Sequence, residues 1–136
     1  MSDFRYGFER TLGTVDFEVA EQRVTEALKG EGFGVLSRID VKDTLKKKLD
    51  AEFRPYVILG ACNPPLARRA LEAEPQIGLL LPCNVVLQQL AGGEVVVSIA
   101  DPKAMFTMVE NHAVAPIAEE VDARLRRVLG ALGSVM

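Results

Sequence analysis

The chain has few of the residues from which reactive and metal-binding sites are usually built. It holds two cysteines and one histidine in 136 residues. Two thiols and one imidazole do not complete a four-ligand zinc site, and no Cys-x-x-Cys pair occurs, so no structural metal and no cofactor is expected. A Walker loop, a Gly-x-Ser-x-Gly elbow and a His-Glu-x-x-His motif are absent. The glycines of Gly30–Gly34 do not make a dinucleotide loop, because the third falls one place early and the segment follows a helix instead of a strand. The chain has no basic surplus; its net charge is −3, without the electrostatic footprint of a general nucleic-acid binder. No apolar run approaches the ~20 residues a membrane span requires, and no basic stretch followed by an apolar one marks a secretory leader. The expectation is a cytoplasmic protein with free thiols and no nucleic-acid or membrane partner. No linker and no internal repeat interrupts it.

What is present is an ordinary globular composition, 49% hydrophobic and 26% charged, which predicts one domain over residues 1–136. Phe4, Tyr6 and Phe8 alternate with polar residues and predict a strand over 4–8. Asp16 offers a cap to a helix over 17–29, whose apolar stripe is Phe17, Ala20, Val24, Ala27 and Leu28. Residues 33–41 alternate again and predict a second strand. Asp43 is placed to cap a short helix through Leu45 and Leu49, with Lys46, Lys47 and Lys48 outward. Residues 55–61 form a β-rich run. Asn63-Pro64-Pro65 then starts a helix that covers 66–74 and stops at Pro75. Strands over 84–90 and 94–100 flank Gly92-Gly93, a hairpin signal. Asp101-Pro102 starts a short helix near Met105, and Pro116 opens the last helix, which leaves at Gly133. The hairpin argues against a doubly wound parallel sheet. The predicted class is α+β, with a single mostly antiparallel sheet and helices on one face.

Two segments carry the candidate chemistry. Gly60-Ala61-Cys62-Asn63-Pro64-Pro65 joins a strand end to a helix start, where unpaired N–H groups attract anions and lower a thiol pKa. Leu81-Pro82-Cys83-Asn84-Val85 repeats the Cys-Asn pair 21 positions later. If the two strands are neighbours, Cys62 and Cys83 come close, as a dithiol, as half of a metal site or as core packing. His112, in a polar link between two helices, is a weak candidate base for Cys62. Asp40 closes the second strand, either as a turn former or as a carboxylate in a cleft. Residues 42–69, including Lys48, carry a surplus of four positive charges while the rest of the chain sums to −7, which favours an anionic small molecule nearby.

Gly32-Phe33-Gly34-Val35-Leu36, Ile39-Asp40-Val41, Ile58 to Pro64 and Gly78 to Val85 together resemble a bacterial and archaeal family, domain-of-unknown-function family 302, from Phe4 to about Val128. The resemblance implies a fold similar to the TATA-box-binding-protein-like class, β-α-β4-α in outline, in a homodimer. It does not imply DNA binding, since fold does not settle function. The family carries no established activity, and many members lack cysteine at the positions of Cys62 and Cys83, which makes the Asn63-Pro64 turn the better candidate for a shared site.

The leading functional expectation is therefore a dimeric small-ligand binding protein, for an anion, a thiol compound or a metal, with a site at Cys62, Asn63, Cys83 and Asn84, flanked by Asp40 and Lys48. The alternatives are a thiol-dependent enzyme or redox sensor, with Cys62 as nucleophile and Cys83 as resolving partner, and a dimeric structural or regulatory module without a ligand.

Overall fold

The structure is a computed structural model that describes residues 1–133. Among these, six strands form one antiparallel sheet: β1 Ser2–Phe4, β2 Gly7–Thr14, β3 Gly34–Asp40, β4 Tyr56–Cys62, β5 Cys83–Gln89 and β6 Glu94–Ala100. Their order across the sheet is β1-β2-β6-β5-β4-β3. The helices are α1 Phe17–Gly30, α2 Val41–Leu49, α3 Pro64–Ala73, α4 Pro102–Phe106 and α5 Ala115–Leu132, with a 3-10 turn over Pro75–Leu80. With α2, α3 and α4 counted as insertions, β2-α1-β3-β4-β5-β6-α5 is the β-α-β4-α outline the resemblance implied.

One face of the sheet builds the core. Phe8, Leu59, Val85, Leu87, Val97 and Ile99 are buried there against the apolar stripes of α1 (Ala20, Val24, Leu28) and α5 (Leu125, Val128, Leu129). Each fully buried leucine contributes about 2 kcal/mol by removal of apolar surface from water. The other face presents Ile39, Ile58, Val86 and Ser98, paired across the strands. Ile39, on the edge strand, is half exposed.

Most predicted elements are found, and α1 begins where Asp16 caps it through Val19 N–H at 3.0 Å. The first strand differs. Phe4 pairs with Gly7 across a two-residue turn at Arg5-Tyr6, so residues 4–8 reverse direction. Of the alternating aromatics only Phe8 enters the core, while Tyr6 is 71% exposed. The long strand that follows, β2, has no clear period in the sequence because Arg10 interrupts its inward series Phe8, Leu12 and a bulge with Gly13 at φ 86° shifts its register. The cap of α2 is also corrected. Asp40, not Asp43, is the N-cap and accepts from Asp43 N–H at 2.9 Å, and β3 stops at that residue. Helix α3 starts at Pro64, two residues before the predicted Leu66, and the 3-10 turn beyond Pro75 had no signal distinct from a loop. Gly92-Gly93 makes the predicted β5–β6 hairpin, and Gly133 caps α5.

Candidate functional site

The two Cys-Asn segments do meet. In the β4–β5 ladder Ala61 lies opposite Cys83 and Gly60 opposite Asn84. Side chains alternate along a strand. Cys83 therefore shares the helix-covered face with Ala61 and Val85, while Cys62, one residue on, shares the other face with Gly60. Gly60 is required by close approach: a Cβ there would run into Ser37 Oγ and lie 2.8 Å from Pro82 Cγ.

Both thiols border one half-open cavity of about 380 Å³ at the ends of these strands. Its floor comes from the core side, with Phe33, Ala61, Ala70 and Phe106 buried. Leu66, Ala67, Ala70 and Leu71 bring one face of α3 to it, and Ile117 and Val121 do the same for α5. Leu36 and Ser37 of β3, with Pro82, form the rim on the other side of the sheet. The lining is hydrocarbon apart from the two sulfurs, the Ser37 hydroxyl and the Asn63 side chain.

Asn63 is buried and its groups are engaged. Its Oδ1 accepts from Leu66 N–H at 3.3 Å, its Nδ2 donates to Glu31 C=O at 3.3 Å, and its backbone carbonyl accepts from Ala67 N–H at 2.8 Å. This pins α3 to the turn between α1 and β3, where Gly32 sits at φ 86° against the same amide. The anion argument from the sequence is overturned here. Pro64 and Pro65 have no N–H, and the next two donors are taken by Asn63, so this helix start offers no free donor.

The thiols differ from expectation as well. Burial pushes the Cys62 thiol above its ordinary value. Burial, then the neighbouring Cys62, pushes Cys83 up to about 11. Both are neutral at pH 7 and neither has the electropositive setting that activates a nucleophile. Both are free.

The remaining predicted site residues lie elsewhere. Asp40 caps α2, and Lys48 is exposed on that helix. Asn84 faces outward from β5 and does not border the cavity. His112 is exposed and borders a separate surface hollow with Lys103, Glu110 and Glu119. The basic segment is largely paired locally: Lys46 with Asp50 and Glu52, each at 2.8 Å, Lys47 with Asp43 at 2.9 Å, and Arg69 with Glu120 at 3.8 Å. It gives the cavity no positive charge. Phe33 and Leu36 belong to the Gly32–Leu36 segment, and Ile117 and Val121, like Leu66 and Ala70 on α3, recur at helical spacing, but those signals mark buried faces and do not say that the faces meet at a cavity. Among the described residues no group of three or more His, Cys, Asp or Glu side chains is placed to hold a metal, and no helix is long and apolar enough to cross a membrane.

A family model described as a domain of unknown function, DUF302, matches residues 8–132. A solved structure of an uncharacterized conserved DUF302 protein from Bacillus stearothermophilus is 32% identical, covers 90% of this chain and 95% of its own, and superposes with a TM-score of 0.80. No curated protein matches.

Proposed function

The chain belongs to the DUF302 family, and from that premise we propose that it is a small-molecule binding protein whose site is the cavity at the ends of β4 and β5. The observation that carries this reading is the convergence of the two Cys-Asn segments, α3 and α5 on a half-open hollow of about 380 Å³, inside the range of ligand pockets in proteins. The hollow is half-open and its lining is apolar, so a ligand seated in it removes hydrocarbon surface from water.

The thiol-dependent reading has less support. It needs Cys62 and Cys83 to exchange a disulfide, and their side chains leave opposite faces of the sheet. It also needs a thiolate, and burial works against one.

A thermal-shift screen of neutral, anionic and thiol-reactive small molecules tests the binding reading. A ligand at about 100 times its Kd adds about 2.7 kcal/mol to stability. A hit that is lost when the cavity is filled by mutation is the expected outcome. A screen in which no compound moves the melting point contradicts it.

A further inference from the structure

We propose that the cavity takes an uncharged, mostly hydrocarbon molecule with at most one neutral polar group, which sits at the Ser37 rim. This rests on the reading of the cavity as a ligand site and names the chemical class that fits it.

Three observations select that class. Among the described residues, no lysine, arginine, histidine, aspartate or glutamate borders the cavity, and a charged group brought into it would lose water without gaining a partner. The backbone offers no substitute, because the first two residues of α3 are prolines and the next two N–H groups are bonded to Asn63. The polar edge is one-sided. Ser37 stands exposed at the mouth, and the leucines beside the opening, Leu36 and Leu71, are 69% and 41% exposed. These leucines have apolar area for a ligand to cover. An empty apolar cavity of ~150 Å³ admits benzene, so this volume holds about fifteen non-hydrogen atoms by simple scaling.

The geometry also supplies blocking variants. A Cβ at Gly78, on the 3-10 turn at the cavity wall, meets only Leu71 Cδ2, at 3.8 Å, so Gly78→Leu adds volume without forcing the backbone. Ala67, half-buried on α3, is a second site, as Ala67→Phe.

The experiment uses N-phenyl-1-naphthylamine, a neutral dye that fluoresces in apolar surroundings, with competition by 1-decanol and by decanoate at pH 8. These competitors share a chain and differ in head-group charge. The dye is expected to bind, 1-decanol to displace it, and decanoate to compete at least about tenfold less well. Gly78→Leu and Ala67→Phe, checked for cooperative melting, are each expected to weaken dye binding about tenfold or more; either one suffices if the other does not fold. Stronger competition by decanoate than by decanol overturns the uncharged class and leaves the cavity as a ligand site. Dye binding unchanged in a folded, filled variant places the apolar site elsewhere and overturns the proposal. Binding of neither the dye nor either competitor overturns both this inference and the reading beneath it.

Discussion

Cys83 lies directly across the β4–β5 ladder from Ala61, so Cys62, the next residue along, points to the opposite face of the sheet while bordering the same hollow. The pair is adjacent in the backbone and divergent in its side chains. That relationship separates a ligand cavity from a redox dithiol, and it sets the first prediction. Mild oxidation leaves the two thiols unpaired. Iodoacetamide modifies both slowly at pH 7, and Cys83 more slowly than Cys62, since burial raises it further. Mass spectrometry of labelled peptides across pH measures this. Rapid labelling near neutrality, or a Cys62–Cys83 disulfide, would contradict it.

The raised Cys83 pKa has a consequence for stability. The folded state holds this proton more tightly than the unfolded chain does. The associated stabilisation is complete below the ordinary thiol pKa and is lost as pH climbs from there through about 11. The full loss attributable to Cys83 is about 3 kcal/mol, of which roughly half is reached by pH 10. Urea unfolding at pH 7 and pH 10 is expected to show it in the native sequence and to show a smaller fall in Cys83→Ala, the comparison that isolates this thiol from other alkaline titrations. Equal falls in the two proteins would exclude the effect.

Asn63 serves two connections, the cap of α3 and the tie to Glu31 C=O. Asn63→Ala removes both and is expected to cost about 1–3 kcal/mol. Asn63→Asp keeps the cap acceptor and gives up the donor, so its cost falls in between. Chemical denaturation of both variants checks the order; Asn63→Asp as costly as Asn63→Ala would show that the cap contributes little.

Arg126, in the second half of α5, makes a further tie. Its guanidinium reaches Asp122 at 3.1 Å, Asp3 at 3.1 Å and Asp101 at 3.6 Å, and stacks 4.4 Å from the centre of the Phe8 ring. Asp122 is buried, and its Oδ1 has no hydrogen-bond partner among the described residues. Removing the cation strands that carboxylate. Arg126→Met is expected to cost about 2–4 kcal/mol, and Arg126→Met combined with Asp122→Leu to recover most of it. A double variant no better than the single would show that the ring contact, not the buried charge, dominates.

The amino-acid sequence made the covered face of the sheet legible wherever a local signal carried it. Helix α1 has a full stripe behind an aspartate cap, Asn63-Pro64 starts α3, and Gly92-Gly93 turns the β5–β6 hairpin. It misled where two readings share one pattern. Phe4, Tyr6 and Phe8 alternate equally well in a straight strand and across a tight turn, and Asp40 and Asp43 are both good caps three residues apart. The site was half legible. The Cys-Asn repeat marks the ends of two adjacent strands, and both cysteines border the cavity there. The donors on which its anion reading relied are not free, because Pro64 and Pro65 have no N–H and Asn63 accepts from the next two. The hydrocarbon lining comes from β3, α3, α4 and α5, elements distant in sequence that meet only in the fold.

The character of the cavity is most directly examined by diffraction from crystals held under xenon, which enters dry apolar cavities. The expected result is a xenon peak between α3 and the ends of β4 and β5, within contact of Ala70 and Phe106. A chain of ordered waters there, with no xenon, would contradict an apolar binding site at the Cys62–Cys83 junction.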